Sequence, residues 1–342
     1  TEAQQKQNLA LLFDAVRMSN ELKSSLQKLK SMQKESGGFV WFNGGPEDRY
    51  MTQYIITGIG HLQHLKEDEK ANSELAGIVK KALAYLDKKV KEDYDNLVKS
   101  KADLKKQQPG YLQVQYLYMR SFFPQNRVAP IAQTAYSYYR KSAQQHWQTQ
   151  NKYMQGMTAL ALHRTADLQT PIDILRSLKE TAIVHEELGM YWKETRFGIS
   201  PFWWNAPIET QALLIEAFAE IKRDTKTVDA LKTWLIKNKQ TNNWRTTKAT
   251  ADACYALLLQ GTNWLNSEPV VQIKMGNIVV NSTEQKTAAG TGYFTKTIEG
   301  TFVQPQMGNI IVNVQQPANT ATAEPANHPS WGAVYWQYFE DM

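Results

Sequence analysis

One short pattern, a loop that carries Trp followed by an apolar helix, occurs three times in this chain. The fullest copy starts at Ser36 and reads Ser-Gly-Gly-Phe-Val-Trp-Phe-Asn-Gly-Gly-Pro-Glu-Asp-Arg-Tyr-Met-Thr-Gln-Tyr before an apolar stretch that ends at Leu62. Shorter copies occupy residues 202–218 and 243–259, where Thr precedes a helix rich in Ala and Leu. Repetition of one such unit indicates an array of similar helical hairpins, each burying its apolar face against its neighbours.

Apolar residues recur with helical spacing through most of the first 260 residues, in two alternating kinds of segment. Amphipathic segments alternate with segments that are apolar on most faces and must therefore be surrounded by protein. The amphipathic segments are 9–29, 73–95, 131–147, 172–188 and 228–237, and the apolar ones are 50–65, 111–122, 153–163, 208–221 and 249–259. Five outer and inner pairs predict an α/α toroid. A closed ring of this kind usually has six pairs, so we expect the sixth upstream of Thr1.

After Leu265 the period of the apolar residues changes from that of a helix to that of a strand. Gly-Asn pairs at 276 and 308 predict turns, and residues 316–330, which include three Pro, predict a loop. The predicted strands are 270–275, 278–280, 293–298, 310–314 and 333–339. The expected fold class is α+β, with an α/α toroid over residues 1–266 and a small antiparallel β module, not necessarily complete, over residues 267–342.

The net charge of +6 and an isoelectric point near 9.0 do not by themselves indicate a nucleic-acid partner. The most basic stretch, Lys80–Lys106, holds nine Lys, but acidic residues are interleaved with them. This stretch also has an apolar helical face, so it predicts a solvated helix surface. The longest wholly apolar run, Ala253–Leu259, is far shorter than the roughly 20 residues that cross a bilayer. We expect neither a nucleic acid nor a membrane as a partner of this fragment.

The chain has a single cysteine, Cys254, so no disulfide can form within it. Cys254 lies in an apolar helix, which predicts an inert thiol in the core. The Asp252-Ala-Cys254 spacing resembles the zinc pair of protein prenyltransferase β subunits, but no third ligand follows on a helix. His61 and His64, one helical turn apart, lack an evident acidic partner and are predicted to be packed or surface residues. We therefore expect no metal and no cofactor.

Four segments of the chain resemble bacterial alpha-2-macroglobulin. They are the Gly-Gly-Phe-Val-Trp-Phe-Asn-Gly-Gly-Pro-Glu-Asp-Arg-Tyr stretch from Gly37, the Ala-Pro-Ile-Glu-Thr-Gln-Ala-Leu segment from Ala206, the Lys-Ala-Thr-Ala-Asp-Ala-Cys-Tyr-Ala-Leu segment from Lys248 and the Ser-Trp-Gly-Ala-Val-Tyr-Trp-Gln-Tyr-Phe end from Ser330. The resemblance covers nearly the whole chain. It implies the helical toroid called the thioester or complement-type domain, followed by a β segment, CUB-like or macroglobulin-type, of the module that contains the toroid.

The resemblance also implies a biological setting. Members of this family are large envelope or secreted proteins that trap a protease after it has cut a bait segment. We therefore expect a non-catalytic domain in the periplasm, in the cell envelope or outside the cell. Its expected partners are the other domains of the parent macroglobulin and the target proteases. The chain opens without an initiator Met, which predicts a piece of a longer protein.

The thioester motif of this family is absent from the chain. The thioester forms between the Cys and the Gln of a Cys-x-Glu-Gln motif, whereas Cys254 is followed by Tyr-Ala-Leu. The Ser-Thr-Glu-Gln sequence from Ser282 has the same spacing with Ser in place of Cys, but it lies in the β region. The resemblance places the motif upstream of Thr1 if the parent protein has one.

The Trp-bearing loops also carry the residues of an alternative function. A glycosidase or polysaccharide lyase built on a helical toroid needs aromatic stacking platforms and a pair of carboxylates. The candidate loop and cleft residues are Trp41, Phe42, Tyr50, Tyr54, Trp203, Trp204 and Glu209, with Glu47, Asp48 and Glu194 as further acids. We favour a structural role for the rings, because no acid has a second acid in a comparable motif position. Trp41 and Phe42 are then expected to pack against helix ends, with Trp41 as a plug between turns at Gly37 and Gly44.

Overall fold

The computed structural model describes residues 17, 20–65, 69–186, 188–193, 207–241, 244, 246–259, 270–285, 294–315 and 334–337. These residues fall into two compact units, a helical unit within Arg17–Leu259 and a smaller unit of strands formed by residues after Leu259. The chain is an α+β protein in which helices dominate. No helix in these ranges is both long enough and apolar enough to cross a bilayer.

The helices follow the predicted alternation closely. Helices α1 to α10 cover residues 20–32, Arg49–His64, Glu69–Lys99, Tyr111–Ser121, Gln133–His146, Lys152–Arg164, Thr170–Glu180, Pro207–Ala217, Thr225–Thr241 and Thr247–Leu258. Strands β1 to β7 cover Phe39–Val40, Glu47–Asp48, Ile183–His185, Gly189–Tyr191, Val270–Met275, Ile278–Asn281 and Ile310–Gln315. Where the structure describes them, the ten predicted helical segments therefore each correspond to a helix, and residues 9–16, 18 and 19 of the first segment lie outside the described residues.

A tight hairpin joins α1 to α2. Gly37, at φ +97°, turns the chain as the sequence predicted, and β1 then pairs antiparallel with β2 through a second turn at Gly44, at φ +84°. Asp48 starts α2, because its carboxylate accepts a hydrogen bond of 2.6 Å from the N–H of Met51. The side chain of Phe39, in β1, is fully buried.

The apolar helices α2, α4, α6, α8 and α10 pack against one another in chain order. Two side-chain contacts bring α10 back to α2, since Tyr255 stacks on His61 and the Lys248 ammonium lies 5.7 Å from the centre of the Tyr54 ring. Five helices rather than six are linked in this way, and the sixth pair expected upstream of Thr1 stays a prediction. The amphipathic α3, α5, α7 and α9 pack against these helices and leave one face exposed.

Small residues allow the apolar helices to approach closely. A Cβ on Gly60 of α2 would lie 2.6 Å from Cγ of Phe122, which follows α4. A Cβ on Gly156 of α6 would lie 3.0 Å from a methyl carbon of Leu214 in α8. A larger side chain at Gly60 would displace Phe122, and one at Gly156 would require the side chain of Leu214 to shift.

Helix α7 ends earlier than the sequence predicted. The periodicity predicts a helix over residues 172–188, but α7 stops at Glu180 and β3 pairs antiparallel with β4 in a hairpin. The β-branched Ile183 and Val184 favour extended backbone. Gly189, at φ +78°, approaches α9 so closely that a Cβ would lie 2.1 Å from the carbonyl oxygen of Ala230. Packing against α9 therefore overrides the helical pattern.

The smaller unit contains an antiparallel sheet with the order β6-β5-β7. Its register places Ile273 beside Val280 on one side and beside Val312 on the other. One face of the sheet carries only apolar side chains, which are Val271, Ile273, Met275, Ile278, Val280, Ile310, Val312 and Val314. The predicted turn at Gly276 joins β5 to β6, with φ +55°.

Two predicted strands are wrong where the structure describes them. Residues 294–298 and 334–337 are not in strands. The turn predicted at Gly308 is confirmed, because Gly308 ends the 3-10 turn Pro305–Gly308. A β-branched run becomes a strand only when a neighbouring strand takes up its backbone hydrogen bonds, which local sequence does not determine. The predicted loop 316–330 and residues 293, 333, 338 and 339 lie outside the described residues.

Candidate functional site

All five apolar helices begin at the same end of the helical unit. Their first two turns hold a set of polar and aromatic side chains, here called the N-terminal cluster, which consists of Tyr50, Tyr54, Tyr111, Tyr153, Glu209, Lys248 and Asp252. The ring of Tyr111 lies 6.3 Å from that of Tyr50 and 6.3 Å from that of Tyr153, between centroids. Each helix N-terminus adds partial positive charge and free N–H groups to this end of the unit.

The Lys248 ammonium is the charged centre of the N-terminal cluster. Its Nζ donates a hydrogen bond of 2.7 Å to Oδ2 of Asp252 and lies 3.3 Å from the hydroxyl of Tyr153. The rings of Tyr54 and Tyr153 flank Nζ at 5.7 and 5.3 Å from their centres, a distance at which a cation and a ring attract. Burial alone would lower the pKa of Lys248, but Asp252 and Glu209 outweigh this effect, and the pKa is raised. Lys248 is therefore held in its charged form.

Glu209, the third residue of α8, is the only candidate acid of the sequence analysis that lies in this cluster, among the described residues. It is 1% exposed, and neither carboxylate oxygen has a hydrogen-bond partner among the described groups. The N–H of Glu209 itself and the Thr246 hydroxyl favour the charged form of the carboxylate. Burial nevertheless raises the pKa of Glu209 against the opposing effect of Lys248. Glu209 is thus a buried acid with unused hydrogen-bonding capacity.

A small cavity lies between the apolar helices. Its walls include Tyr54, Glu209 and Asp252 towards the helix N-termini, and His61 and Glu216 towards the helix C-termini. The cavity volume is ≈ 20 Å³, which is room for about one water molecule or an ion of similar size. A sugar ring does not fit into this space.

The last turns of the same helices, with the turn that follows α8, hold a second set of charged and aromatic side chains. It is here called the C-terminal cluster and consists of His61, His64, Tyr118, Arg164, Glu216, Glu220 and Tyr255. Glu216 accepts hydrogen bonds from the hydroxyls of Tyr118 and Tyr255 and from the Arg164 guanidinium. Arg164 also donates two hydrogen bonds, of 2.8 and 2.5 Å, to the carboxylate of Glu220. The Arg164 guanidinium is therefore paired with two carboxylates, Glu216 and Glu220, which offsets the cost of burying its charge.

Among the residues that the structure describes, one group of three ligating side chains is compact enough to suggest a metal. His64, Glu216 and Glu220 have ligand atoms within 4.8 Å of one another. Arg164 already donates hydrogen bonds to both carboxylates, so a metal would have to displace a paired guanidinium. The prediction that His64 lacks an acidic neighbour is wrong, because Glu216 of α8 and Glu220 in the turn after α8 are far from it in the sequence but close in the fold.

The aromatic loop residues differ from their predicted placement. Trp41 is 48% exposed and Phe42 is 65% exposed, so the plug predicted at Trp41 is wrong. The buried side chains of the hairpin are Phe39 and Val40, and the chain leaves the core after them. Trp41 lies over Tyr50, with ring centroids 6.4 Å apart. The loop therefore presents two aromatic rings to solvent.

The structure brings some of the predicted residues together and shows others that the sequence analysis missed. Tyr50, Tyr54 and Glu209 meet in the N-terminal cluster, whereas Trp203, Trp204 and Glu194 lie outside the described residues. Lys248, the charged centre of the N-terminal cluster, and Arg164, the centre of the C-terminal cluster, were not among the predicted site residues. One sequence feature could have indicated these clusters, namely the charged or Tyr residue in the first turn of every apolar helix.

Cys254 corrects another prediction. The sequence predicted an inert core thiol, but Cys254 is exposed on α10. Its helical neighbours Ala253 and Tyr255 are buried instead. Asp252, which would form a zinc pair with it, is engaged by Lys248. The two side chains point to different surroundings, because residues two apart on a helix lie on different faces.

No family model matches the sequence, and the search of curated proteins also gives no match. Among solved structures, the chain is similar to native alpha-2-macroglobulin from Escherichia coli, spanning domain MG7 to the C-terminus, with 14% identity, a TM-score of 0.48, and coverage of 75% of this chain and 36% of that one. It is also similar to the cryo-EM reconstruction of the native conformation, with 14% identity, a TM-score of 0.43, and coverage of 75% and 14%. The trypsin-activated form gives 14% identity, a TM-score of 0.40, and coverage of 75% and 16%. The chain thus spans about a third of the first of these structures.

Proposed function

We propose that this chain is the toroid and part of the following β module of a bacterial alpha-2-macroglobulin-like protein, and that it acts as a non-catalytic, protein-contacting part of a protease trap. The observation that carries the proposal is the ordered packing of five apolar helices with a common direction. This is the arrangement expected of the inner helices of an α/α toroid. The proposed boundary between toroid and β module stays at residues 266 and 267.

The best-matched segment of the resemblance has a clear structural purpose. The Gly-Gly-Phe-Val sequence from Gly37 forms the turn and the buried strand β1 ahead of α2. The following Gly-Gly-Pro-Glu-Asp sequence forms the second turn and the cap of α2. These residues are thus used to position the first inner helix, which supports a structural rather than a catalytic reading of the motif.

The alternative, a carbohydrate-active enzyme, finds little support in the described residues. Such an enzyme needs two carboxylates beside a cleft that admits a sugar. Asp48 is used as a helix cap, Glu47 accepts a hydrogen bond from Ser36, and Glu209 is buried beside a cavity of ≈ 20 Å³. Exposed rings at Trp41 and Phe42 are compatible with stacking, but no described pair of acids accompanies them.

The proposed partners follow from the family resemblance. They are the other domains of the parent macroglobulin and the trapped proteases, and the proposed location is the periplasm, the cell envelope or the exterior. Exposed aromatic rings on a hairpin held by two constrained glycines are suited to protein contact, because little conformational entropy is lost when they bind.

The test is a trapping assay with the full-length gene product. The protein is mixed with active trypsin, and the cleavage of casein is compared with the cleavage of a small chromogenic peptide. A trap should suppress casein cleavage strongly and leave peptide cleavage nearly intact, because enclosure excludes large substrates only. Trypsin whose serine has been blocked should not be retained, since capture follows cleavage of the bait.

Equal cleavage of casein with and without the protein, repeated with proteases of other specificities, would remove the proposal. Release of reducing ends from a polysaccharide, lost in the Glu209→Gln variant, would establish the alternative.

A further inference from the structure

An open groove lies between the β1–β2 hairpin, with the turn before it, and α3. It is lined by Ser36, Glu47, Ala84, Tyr85, Lys88 and Lys89, and its volume is ≈ 280 Å³. This volume is close to the lower end of the range for small-molecule pockets. The groove therefore has room for the side chains of a short segment from another molecule.

Tyr85 brings an unused hydroxyl group to this groove. The residue is only 6% exposed, yet its hydroxyl makes no hydrogen bond within the part of the chain that the structure describes. The hydroxyl is not fully enclosed, so it can be reached from the groove. Burial raises the pKa of Tyr85, so the hydroxyl keeps its proton. The groove thus offers a positioned donor to an acceptor oxygen.

The groove also carries a free positive charge beside this hydroxyl. Lys89 is paired with Glu92 at 2.8 Å, and its Nζ lies 5.6 Å from the centre of the Tyr85 ring. Lys88 is exposed and belongs to none of the ion pairs formed by the described residues. Residues three apart on a helix are neighbours, so the Lys88 ammonium and the Tyr85 hydroxyl can meet the same carboxylate.

A second free ammonium group lies on the same side of α3. Lys81 is exposed and has no ion-pair partner in the described ranges, and its carbonyl oxygen lies beside the Gly37 turn of the hairpin. Lys81 and Lys88 are two helical turns apart, which separates them by about 10 Å along one face of α3. Ala84, also exposed, lies between them. Positive, apolar and positive groups therefore follow one another along this face.

We propose that this groove binds an acidic segment of a partner protein, in which two carboxylates about 10 Å apart flank an apolar side chain. One carboxylate binds the Lys88 ammonium and the Tyr85 hydroxyl. The other binds Lys81, and the apolar side chain contacts Ala84. A nucleic acid is disfavoured, because Glu47 also lines the groove and would repel a continuous row of phosphates. The proposal does not depend on protease trapping, since it concerns this groove alone.

The test measures the binding of fluorescein-labelled synthetic peptides to the full chain by fluorescence anisotropy. Each peptide carries two Glu with Leu between them in a background of Gly and Ser, and the Glu are two, three or four residues apart. A spacing of three should bind most tightly, because an extended segment rises about 3.3 Å per residue. Replacing both Glu by Gln should weaken binding roughly tenfold or more. A single-stranded oligonucleotide tests the other class of partner.

Lys88→Gln should weaken the binding of the best peptide roughly tenfold, as loss of a charge-assisted hydrogen bond does. Tyr85→Phe removes only the hydroxyl and should weaken it roughly two- to tenfold. Lys99→Gln is the matched control, because Lys99 is exposed at the far end of α3 and its loss changes the net charge equally. This control should bind as the wild type does. Thermal unfolding checks that each variant is folded.

Equal weakening by Lys99→Gln and Lys88→Gln would overturn the proposal, because general charge rather than the groove would then attract the peptide. Absence of binding by all the Glu peptides at millimolar concentration would overturn it as well. Tighter binding of the oligonucleotide, weakened by Lys88→Gln, would assign the groove to a nucleic acid instead.

Discussion

The imidazole of His61 and the ring of Tyr255 stack face to face, with centroids 3.7 Å apart and an interplanar angle of 7°. This contact joins the end of the first apolar helix to the end of the fifth. Phe122 packs edge-on against the same imidazole, and the hydroxyl of Tyr118 lies 2.9 Å from its Nε2. His61 is partly exposed, but the rings of Tyr118, Phe122 and Tyr255 pack around its imidazole. Burial lowers the pKa of His61 to about 3.

The enclosed imidazole should make the helical unit sensitive to acid. Between pH 6.5 and about 3, His61 is protonated in the unfolded chain and neutral in the folded one, so stability falls as the pH falls through this window. The contribution of one such group is at most about 1.4 kcal/mol per pH unit. The His61→Phe variant, which keeps a stacking ring, should lose this part of the pH dependence.

The measurement is urea unfolding of both proteins at a series of pH values. The control is His185→Phe, because His185 is exposed. This variant should show the same dependence of the unfolding free energy on pH as the wild type. A difference in unfolding free energy between wild type and His61→Phe that stays constant from pH 7 to pH 4 would show that the imidazole titrates alike in both states.

The hairpin before α2 allows two aromatic residues to be compared. Phe39 is fully buried and Trp41 is 48% exposed, although they are two residues apart. Phe39→Ala should cost about 3–5 kcal/mol, as truncation of a buried aromatic does. Trp41→Ala should cost about 0.5–1.5 kcal/mol, the value of its ring pair with Tyr50. Equal costs in urea unfolding would mean that Trp41 is covered in solution and that the predicted plug exists.

The fold of the helical unit could be predicted in large part from the sequence, because the two kinds of helix differ in a property that sequence records. Apolar helices such as α6 are surrounded by protein, and amphipathic helices such as α5 have one solvent-exposed face. The β3–β4 hairpin could not be predicted, because it depends on the approach of Gly189 to α9, a contact between distant segments. The strands predicted at 294–298 and 334–337 failed for a similar reason, since a strand needs a partner.

The candidate site could be predicted only in part. Glu209, Tyr50 and Tyr54 were identified as members of motifs, but their common location depends on the shared direction of α2 and α8. Lys248 was read as part of a family segment and not as a charge, because its partner Asp252 is four residues away on the same helix and looks like an ordinary surface pair. Lys248 is buried in the folded chain, and that burial depends on contacts between helices that are distant in the sequence.

Two glycines with positive φ offer a test of how the hairpin is held. A Cβ on Gly37 would lie 2.2 Å from the carbonyl oxygen of Lys81, whereas a Cβ on Gly44 would meet nothing within 4 Å. Gly44→Ala should therefore cost only the backbone strain, about 1–2 kcal/mol. Gly37→Ala adds a clash with the backbone of α3 and should cost about 2–5 kcal/mol. If the two variants lost the same free energy of unfolding in urea, the close approach of the Gly37 turn to α3 would be ruled out.

Asp224 combines a helix cap with an ion pair, and three variants separate the two. Its carboxylate accepts hydrogen bonds from the N–H and the hydroxyl of Thr227 at the start of α9, and from the ammonium of Lys179 in α7 at 2.7 Å. Asp224→Ala removes both and should cost about 1–2 kcal/mol. Asp224→Asn keeps a capping oxygen and should cost less than about 1 kcal/mol, the value of a partly exposed ion pair. Lys179→Met should match Asp224→Asn.

The pH dependence of Asp224 gives a second readout. The hydrogen bond from Lys179, followed by that from Thr227, lowers the pKa of Asp224 to about 2 from an ordinary value of 3.8. The unfolded chain then binds a proton before the folded one does, so the contribution of Asp224 is complete above pH 3.8 and is lost as the pH falls through about 2. Wild type and Asp224→Asn should therefore differ in unfolding free energy at pH 6 and converge near pH 2. A difference that persists undiminished at pH 2 would mean that the carboxylate charge plays no part in stabilising α9.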